Sequence, residues 1–252
     1  MRLAYAGTAP FAALVLRELL DRDSDIVAVV TRPDKPRGRH GAPQAGPVKQ
    51  LALAAGLPVV QPGRLDLDVV SGLKGDGAEL LAVCAHGEIV PAAVLEAIVT
   101  LVVHPSAVPR WRGAAPVERA LMAGETELSV ATLRMTTGLD EGPVGDLRTV
   151  HVPRDADAGQ AYAALAAPAA ESLLETVRAL ESGGVQWLPQ RGRPTYAAKL
   201  EREERLIDWS RPAQQIADQV RALSPEIGAR TELQGRELVI WKARAHDAPP
   251  AD

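Results

Sequence analysis

The sequence predicts an open, mainly parallel α/β sheet with helices on both faces, followed by a small C-terminal appendage. Three observations carry that prediction. Short apolar runs alternate with stretches whose apolar residues recur at helical spacing, the pattern of βαβ units. Residues 79–85 are nearly all apolar, as in a strand covered on both faces. Turn-forming Gly and Pro fall where such runs end.

In chain order, residues 2–6 form a strand ended by Gly7-Thr8, and 10–20 form a helix. Residues 26–31 are a second strand, 48–55 a helix and 58–61 a short strand. The 79–85 strand leads to a helix at 91–97, a strand at 99–103 and a helix at 116–123. Residues 128–135 and 144–152 are rich in β-branched and alternating positions and give two more strands. A long Ala/Leu-rich helix at 158–182 is closed by Gly183-Gly184. Residues 185–206 are polar and charged and are expected as a linker. An amphipathic helix at 212–223 and a hairpin of 226–233 and 236–243, turning at Gln234-Gly235, complete the chain. The expected domains are 1–184 and 207–252, joined by 185–206. Two strands alone are marginal, so the appendage is either truncated or packed on the main domain.

Composition narrows the class. At 252 residues and 46% hydrophobic, the chain can bury a sizeable core. It contains neither an apolar run of about 18 residues nor a signal-sequence pattern, so no membrane association or secretion is expected. The single Cys84 excludes an internal disulfide and a multi-cysteine metal site, in keeping with a reducing cytoplasm. A net charge of −4 argues against a surface that binds nucleic acid throughout, while leaving room for a local basic patch. No Asn occurs anywhere in the chain. GC-rich coding bias, adaptation to heat and deliberate redesign would each produce that depletion.

The chemistry concentrates in two turns. His104 leaves an apolar run directly into Pro105-Ser106-Ala107-Val108-Pro109-Arg110-Trp111-Arg112-Gly113, which is how a strand delivers a side chain to a cleft. Asp140 lies in Gly138-Leu139-Asp140-Glu141-Gly142. A carboxylate meeting an imidazole selects one tautomer and tunes proton transfer near neutrality. Taken alone, a structural His beside a turn Asp is the favoured reading. Ligands of such sheets bind beyond the carboxyl ends of strands, which puts Ala85-His86-Gly87 and His104 on one rim. Gly7-Thr8-Ala9-Pro10 lacks dinucleotide spacing and reads as a tight strand-to-helix turn. Arg32, Lys35, Arg37, Arg39 and His40 form a basic, Pro/Gly-rich loop, whose bland reading is a solvated surface. His40, His151 and His246 show no metal-ligand spacing, and no metal is expected.

These motifs together resemble the folate-dependent formyltransferases, within them those acting on methionyl-tRNA. The resemblance runs from the first strand through Thr31–Arg39, Pro47-Val48-Lys49 and Cys84–Gly87 to the His104 and Asp140 turns, Tyr196–Leu200 and Ile207-Asp208-Trp209. It implies a Rossmann-like formyltransferase fold and, for 207–252, a partial OB-like C-terminal region. It implies 10-formyltetrahydrofolate as formyl donor, His104 and Asp140 as catalytic, and His86, Gly87, Ser106, Ala107, Val108, Pro109 and Leu139 as folate-binding. It further implies that Lys35, Arg37 and Arg39 grip initiator methionyl-tRNA, that Trp111 chiefly braces the loop, and that the protein is cytoplasmic. A monomer is expected.

One position departs from the family. Its members carry Asn two residues before the His, and here that residue is Val102. Loss of an amide donor to a developing oxyanion typically costs about 10²–10³ in kcat. Reduced transfer to methionyl-tRNA is therefore expected. Transfer to a small amine such as an amino sugar or hydroxyornithine, and folate binding with little catalysis, are the other two classes.

Overall fold

The computed structural model describes residues 1–36 and 41–246. In chain order the elements are β1 (Leu3–Gly7), α1 (Pro10–Leu20), β2 (Ile26–Val30), β3 (Lys35–Pro36), β4 (Pro43–Gln44), α2 (Pro47–Ala54), β5 (Val59–Val60) and α3 (Leu67–Gly75). They continue with β6 (Leu80–Cys84), α4 (Ala92–Ala97), β7 (Val99–His104), β8 (Arg112–Gly113), α5 (Pro116–Met122), β9 (Glu127–Arg134), β10 (Val144–His151) and α6 (Ala158–Glu181). Last come β11 (Tyr196–Ala197), a short 3₁₀ turn (Glu203–Arg205), α7 (Ala213–Leu223), β12 (Ala229–Leu233) and β13 (Arg236–Ile240).

Seven strands form one sheet in the order β10-β9-β7-β6-β1-β2-β5. The β5-β2-β1-β6-β7 block is parallel, and β9 joins β7 antiparallel. β1, β2 and β6 are buried at all five positions, which explains why their sequences do not alternate. Ala4, Ala6, Ala28, Val30, Leu81 and Val83 share one core with Val70 and Leu73 of α3 and Val94 of α4. The expected strands and helices are present with small shifts at their ends. Helix α3 is an addition, because only Val70 and Leu73 of its nine residues are buried and its two glycines read as loop. Asp66 starts it by accepting the Val69 amide at 3.1 Å.

Two compact units interleave along the chain. Unit 1 comprises residues 1–104, 130–148 and 166–192, and unit 2 residues 105–129, 149–165 and 193–252. The 185–206 segment, expected as a linker, has its polar backbone tied down at several points. Leu188 exchanges two hydrogen bonds with Val144 in unit 1, while β11 pairs with β8 in unit 2.

Unit 2 packs α7 against α5, with Ile216, Val220 and Leu223 meeting Leu200, Ile207 and Ala229. Gln234 and Gly235 both take positive φ (51° and 73°), which suits the tight β12–β13 turn. Arg221, 6% exposed, is held at 2.7 Å by Asp218, 3% exposed. Its guanidinium also donates to the carbonyls of Leu121, Glu125 and Ala156. Arg154 adds a second cation on Asp218 at 3.1 Å. Removing one partner of such a buried pair strands the other charge. Asp218→Ala is therefore expected to destabilise the protein by about 3–5 kcal/mol, measured by the urea unfolding midpoint.

Candidate active site

The sheet order sets the site. β1 leads to β2 and β5 on one side, and the chain then returns to place β6 on the other side of β1. The carboxyl ends of β1 and β6 are thus a topological switch point, where open α/β sheets bind ligands. β7 lies next to β6 with Cys84 beside Val103, so the His86 and His104 loops leave the sheet side by side. Gly7 is required at the end of β1. A Cβ there would lie 2.6 Å from the Ala12 Cβ and 3.0 Å from the Cys84 carbonyl oxygen. This close turn is the structural role expected of the first Gly motif.

His104 ends β7 and is 5% exposed. Its Nδ1 lies 3.5 Å from Oδ2 of Asp140, so the two residues stand within direct reach. A carboxylate facing Nδ1 keeps a proton there and makes Nε2 the basic nitrogen. Asp140 occupies the left-handed region at φ 50°, a conformation Asp tolerates. Gln190 secures the turn from fifty residues away, its Nε2 donating to the carbonyls of Asp140 at 2.7 Å and Gly142 at 2.8 Å. Gln190 lies in the expected linker, and nothing local in the sequence marks it.

Val102 shares a face of β7 with His104, because side chains alternate along a strand. It pairs in register with Val83 and Leu133 and packs on the apolar core beside Met135. That position carries no donor.

The His86 loop holds groups the sequence reading missed. Oε2 of Glu88 lies 3.5 Å from Nε2 of His86, and Oε1 lies 3.7 Å from Nε of Arg32. Arg32 also donates to the Gly87 carbonyl at 3.2 Å. His86 is buried, and neither ring nitrogen has a hydrogen-bond partner among the described residues. Burial pushes its pKa below the ordinary histidine range, against the opposing pull of Glu88. The only sequence signal was proximity, since Glu88 follows His86 by two residues.

The remaining candidates divide between the units. His104, Asp140, His86, Gly87 and Leu139 (58% exposed) belong to unit 1. Ser106, Ala107, Val108 and Pro109 belong to unit 2, where the loop is braced by its own bonds. Ser106 Oγ donates to the Arg110 carbonyl at 2.7 Å, and the Thr195 amide donates to Pro109 at 3.0 Å. Trp111 donates from Nε1 to Glu125 at 3.1 Å and lies under the Arg110 guanidinium at 5.5 Å, a packing role. Lys35 is exposed on β3, while Arg37, Arg39 and His40 lie outside the described residues. Among the described residues no group of three or more His, Cys, Asp or Glu is arranged to hold a metal ion.

The Asp140 turn has no room at Gly142, where a Cβ would come 1.7 Å from the Arg134 carbonyl oxygen. Gly142→Ala is expected to lower stability by about 1–3 kcal/mol and to move Asp140 off His104. Thermal melting and a crystal structure of the variant check both effects.

Comparison with known proteins identifies the family. The family model for formyl transferase matches residues 1–177, and that for the formyl transferase C-terminal domain matches 199–251. The methionyl-tRNA formyltransferase of Symbiobacterium thermophilum is 45% identical over 96% of this chain and 76% of its own length. That of Heliobacterium modesticaldum is 41% identical over 99% of this chain and 80% of its own. Among solved structures, the methionyl-tRNA formyltransferase from Clostridium thermocellum superposes with a TM-score of 0.67 at 14% identity, covering 99% of this chain and 95% of that one. HypX from Aquifex aeolicus in complex with tetrahydrofolic acid gives 0.70 at 20% identity, over 95% of this chain and 37% of that one. With both family models matched in order along a sheet of the same fold, this chain belongs to the formyl transferase family.

Proposed function

We propose that this protein transfers the formyl group of 10-formyltetrahydrofolate to the amino group of methionyl-tRNA, in the cytoplasm and as a monomer, with a rate reduced by Val102. The observation that carries the reading is the His104–Asp140 contact of 3.5 Å at the carboxyl rim. Relatives more than 40% identical bear the methionyl-tRNA formyltransferase name, and a structural neighbour is complexed with tetrahydrofolic acid.

The chemistry needs a base and a stabiliser of negative charge. As the acceptor amine forms its bond to the formyl carbon, a proton must leave nitrogen and charge gathers on the formyl oxygen. His104, with Nδ1 turned to Asp140, takes up that proton at Nε2 and, once cationic, stabilises the oxygen. The proton then passes to the folate nitrogen as its bond to the formyl carbon breaks. His86, Gly87, Leu139 and the 106–109 loop are the groups for holding the donor, and the orphaned imidazole of His86 suits a polar ligand. Lys35, Arg37 and Arg39 are the groups for tRNA phosphates.

Transfer of labelled formyl to methionyl-tRNA, compared with an amino sugar and a hydroxyornithine, tests the acceptor. A preference for a small amine would replace the tRNA reading, and folate binding without transfer would leave a binding protein. Val102→Asn restores an amide donor two residues from His104 and is expected to raise kcat by up to about two to three orders of magnitude. Single-turnover rates at saturating donor measure it.

The basic loop has its own test. Neutralising Arg37 and Arg39 together should weaken tRNA binding and flatten its salt dependence. The slope of log K against log salt should fall by about 1.4–1.8, from roughly 0.7–0.9 per phosphate contact. Filter binding across a salt series reads both quantities, with donor affinity unchanged.

A further inference from the structure

The carboxylate beside His104 sits in a turn that burial does not hold. Between β9 and β10, Thr136, Thr137, Leu139 and Glu141 are all exposed, and Asp140 keeps its left-handed φ of 50°. A residue with a Cβ holds such a conformation only where its surroundings enforce it. The support comes from the segment after α6, which runs antiparallel to the start of β10. Trp187 lies against Gly145, where an added Cβ would come 2.9 Å from its ring. Leu188 bonds Val144 through both backbone groups, at 2.8 and 2.9 Å. Gln190, two residues further on, meets the turn itself. Its amide spends both N–H groups there, on the carbonyls of Asp140 and Gly142. These bonds fix the main chain on either side of Glu141, and with it the direction in which the Asp140 side chain leaves the turn. All of these residues, and His104, belong to unit 1.

We propose that Gln190 is a positioning residue for the proton transfer: by holding the backbone of the Asp140 turn it keeps the carboxylate at Nδ1 of His104, and so sets which ring nitrogen carries the proton. The inference rests on the His104–Asp140 reading above, and Gln190 acts on His104 through Asp140. A neutral imidazole has one proton for two nitrogens. With the carboxylate 3.5 Å from Nδ1, the proton stays there and the lone pair is on Nε2. Without the two Gln190 bonds the turn relaxes, the carboxylate leaves Nδ1, and the form with a basic Nε2 becomes a minor one. Only that form takes up the proton of the attacking amine, so kcat falls. Affinity for the donor does not depend on the tautomer and is kept.

The test reads the tautomer directly, by nitrogen-15 NMR of the histidine-labelled full chain at mildly alkaline pH, with the His104 signals assigned by their loss in His104→Gln. The unaltered protein gives a protonated Nδ1 and an unprotonated Nε2. Gln190→Glu has the same shape but no N–H, and Gln190→Ala removes the group; in both, the Nδ1–H form gives way to a mixture or to Nε2–H. Melting temperatures confirm that the variants are folded. In formyl transfer, Gln190→Glu lowers kcat about ten- to a hundredfold, the range for losing two neutral hydrogen bonds, while KM for the donor stays within about twofold. Asp140→Asn, whose amide side chain suits the left-handed backbone, removes the charge itself. In that background Gln190→Glu adds little further loss, because the two residues act in one chain of contacts. A His104 that keeps Nδ1–H in both Gln190 variants would overturn the proposal. So would a loss of kcat from Gln190→Glu that is undiminished in the Asp140→Asn background. Absence of transfer by the unaltered protein would overturn the function reading alone, and the tautomer, read without substrate, would still decide the role of Gln190.

Discussion

The contact between Asp140 Oδ2 and His104 Nδ1 governs everything else at the rim. An imidazole accepts a proton only on the nitrogen that is not already protonated, so the carboxylate decides which ring atom carries the lone pair. That carboxylate is positioned from several directions. Gln190 binds two carbonyls of the turn, Gly142 lets the backbone pass against Arg134, and Asp140 itself accepts a left-handed φ. His104 comes from a strand flanked by β6 and β9, with little freedom of its own. The two side chains are thus placed by two separately supported segments of backbone.

Val102 belongs to the apolar packing of that strand. Its methyl groups extend the apolar layer formed by Val83 and Met135, whereas an amide there would need a partner or exposure. One partly buried Val contributes about 1–2 kcal/mol or less to folding through the apolar area it removes from water.

Polar residues are used differently in the two units. In unit 2 the Asp218–Arg221 pair is buried with nearly every donor matched to a carboxylate or a carbonyl, a closed arrangement that holds helices and loops together. In unit 1 the His86 ring is just as buried but has only the carboxylate of Glu88, 3.5 Å from Nε2, beside its nitrogens.

The sheet was legible in the sequence because it rests on local pattern. The wholly apolar runs of β1, β2 and β6 read as strands buried on both faces, and the ends of β6 and β7 mark where His86 and His104 leave the sheet. Helix α3 was not legible, since two buried residues among nine leave a weak periodic signal. The His104 and Asp140 turns stood out by composition, but their meeting at 3.5 Å is a product of the fold. The same holds for Gln190 reaching Asp140, and for Arg32 after β2 reaching Glu88 after β6 past the end of the intervening β1. By itself the sequence determined which segments become strands and which residue types stand at their ends, because burial and backbone propensity act over a few neighbours. Only the tertiary structure decided which of those residues touch. Contacts between residues far apart in the chain follow from strand order and register, and no local pattern encodes either one.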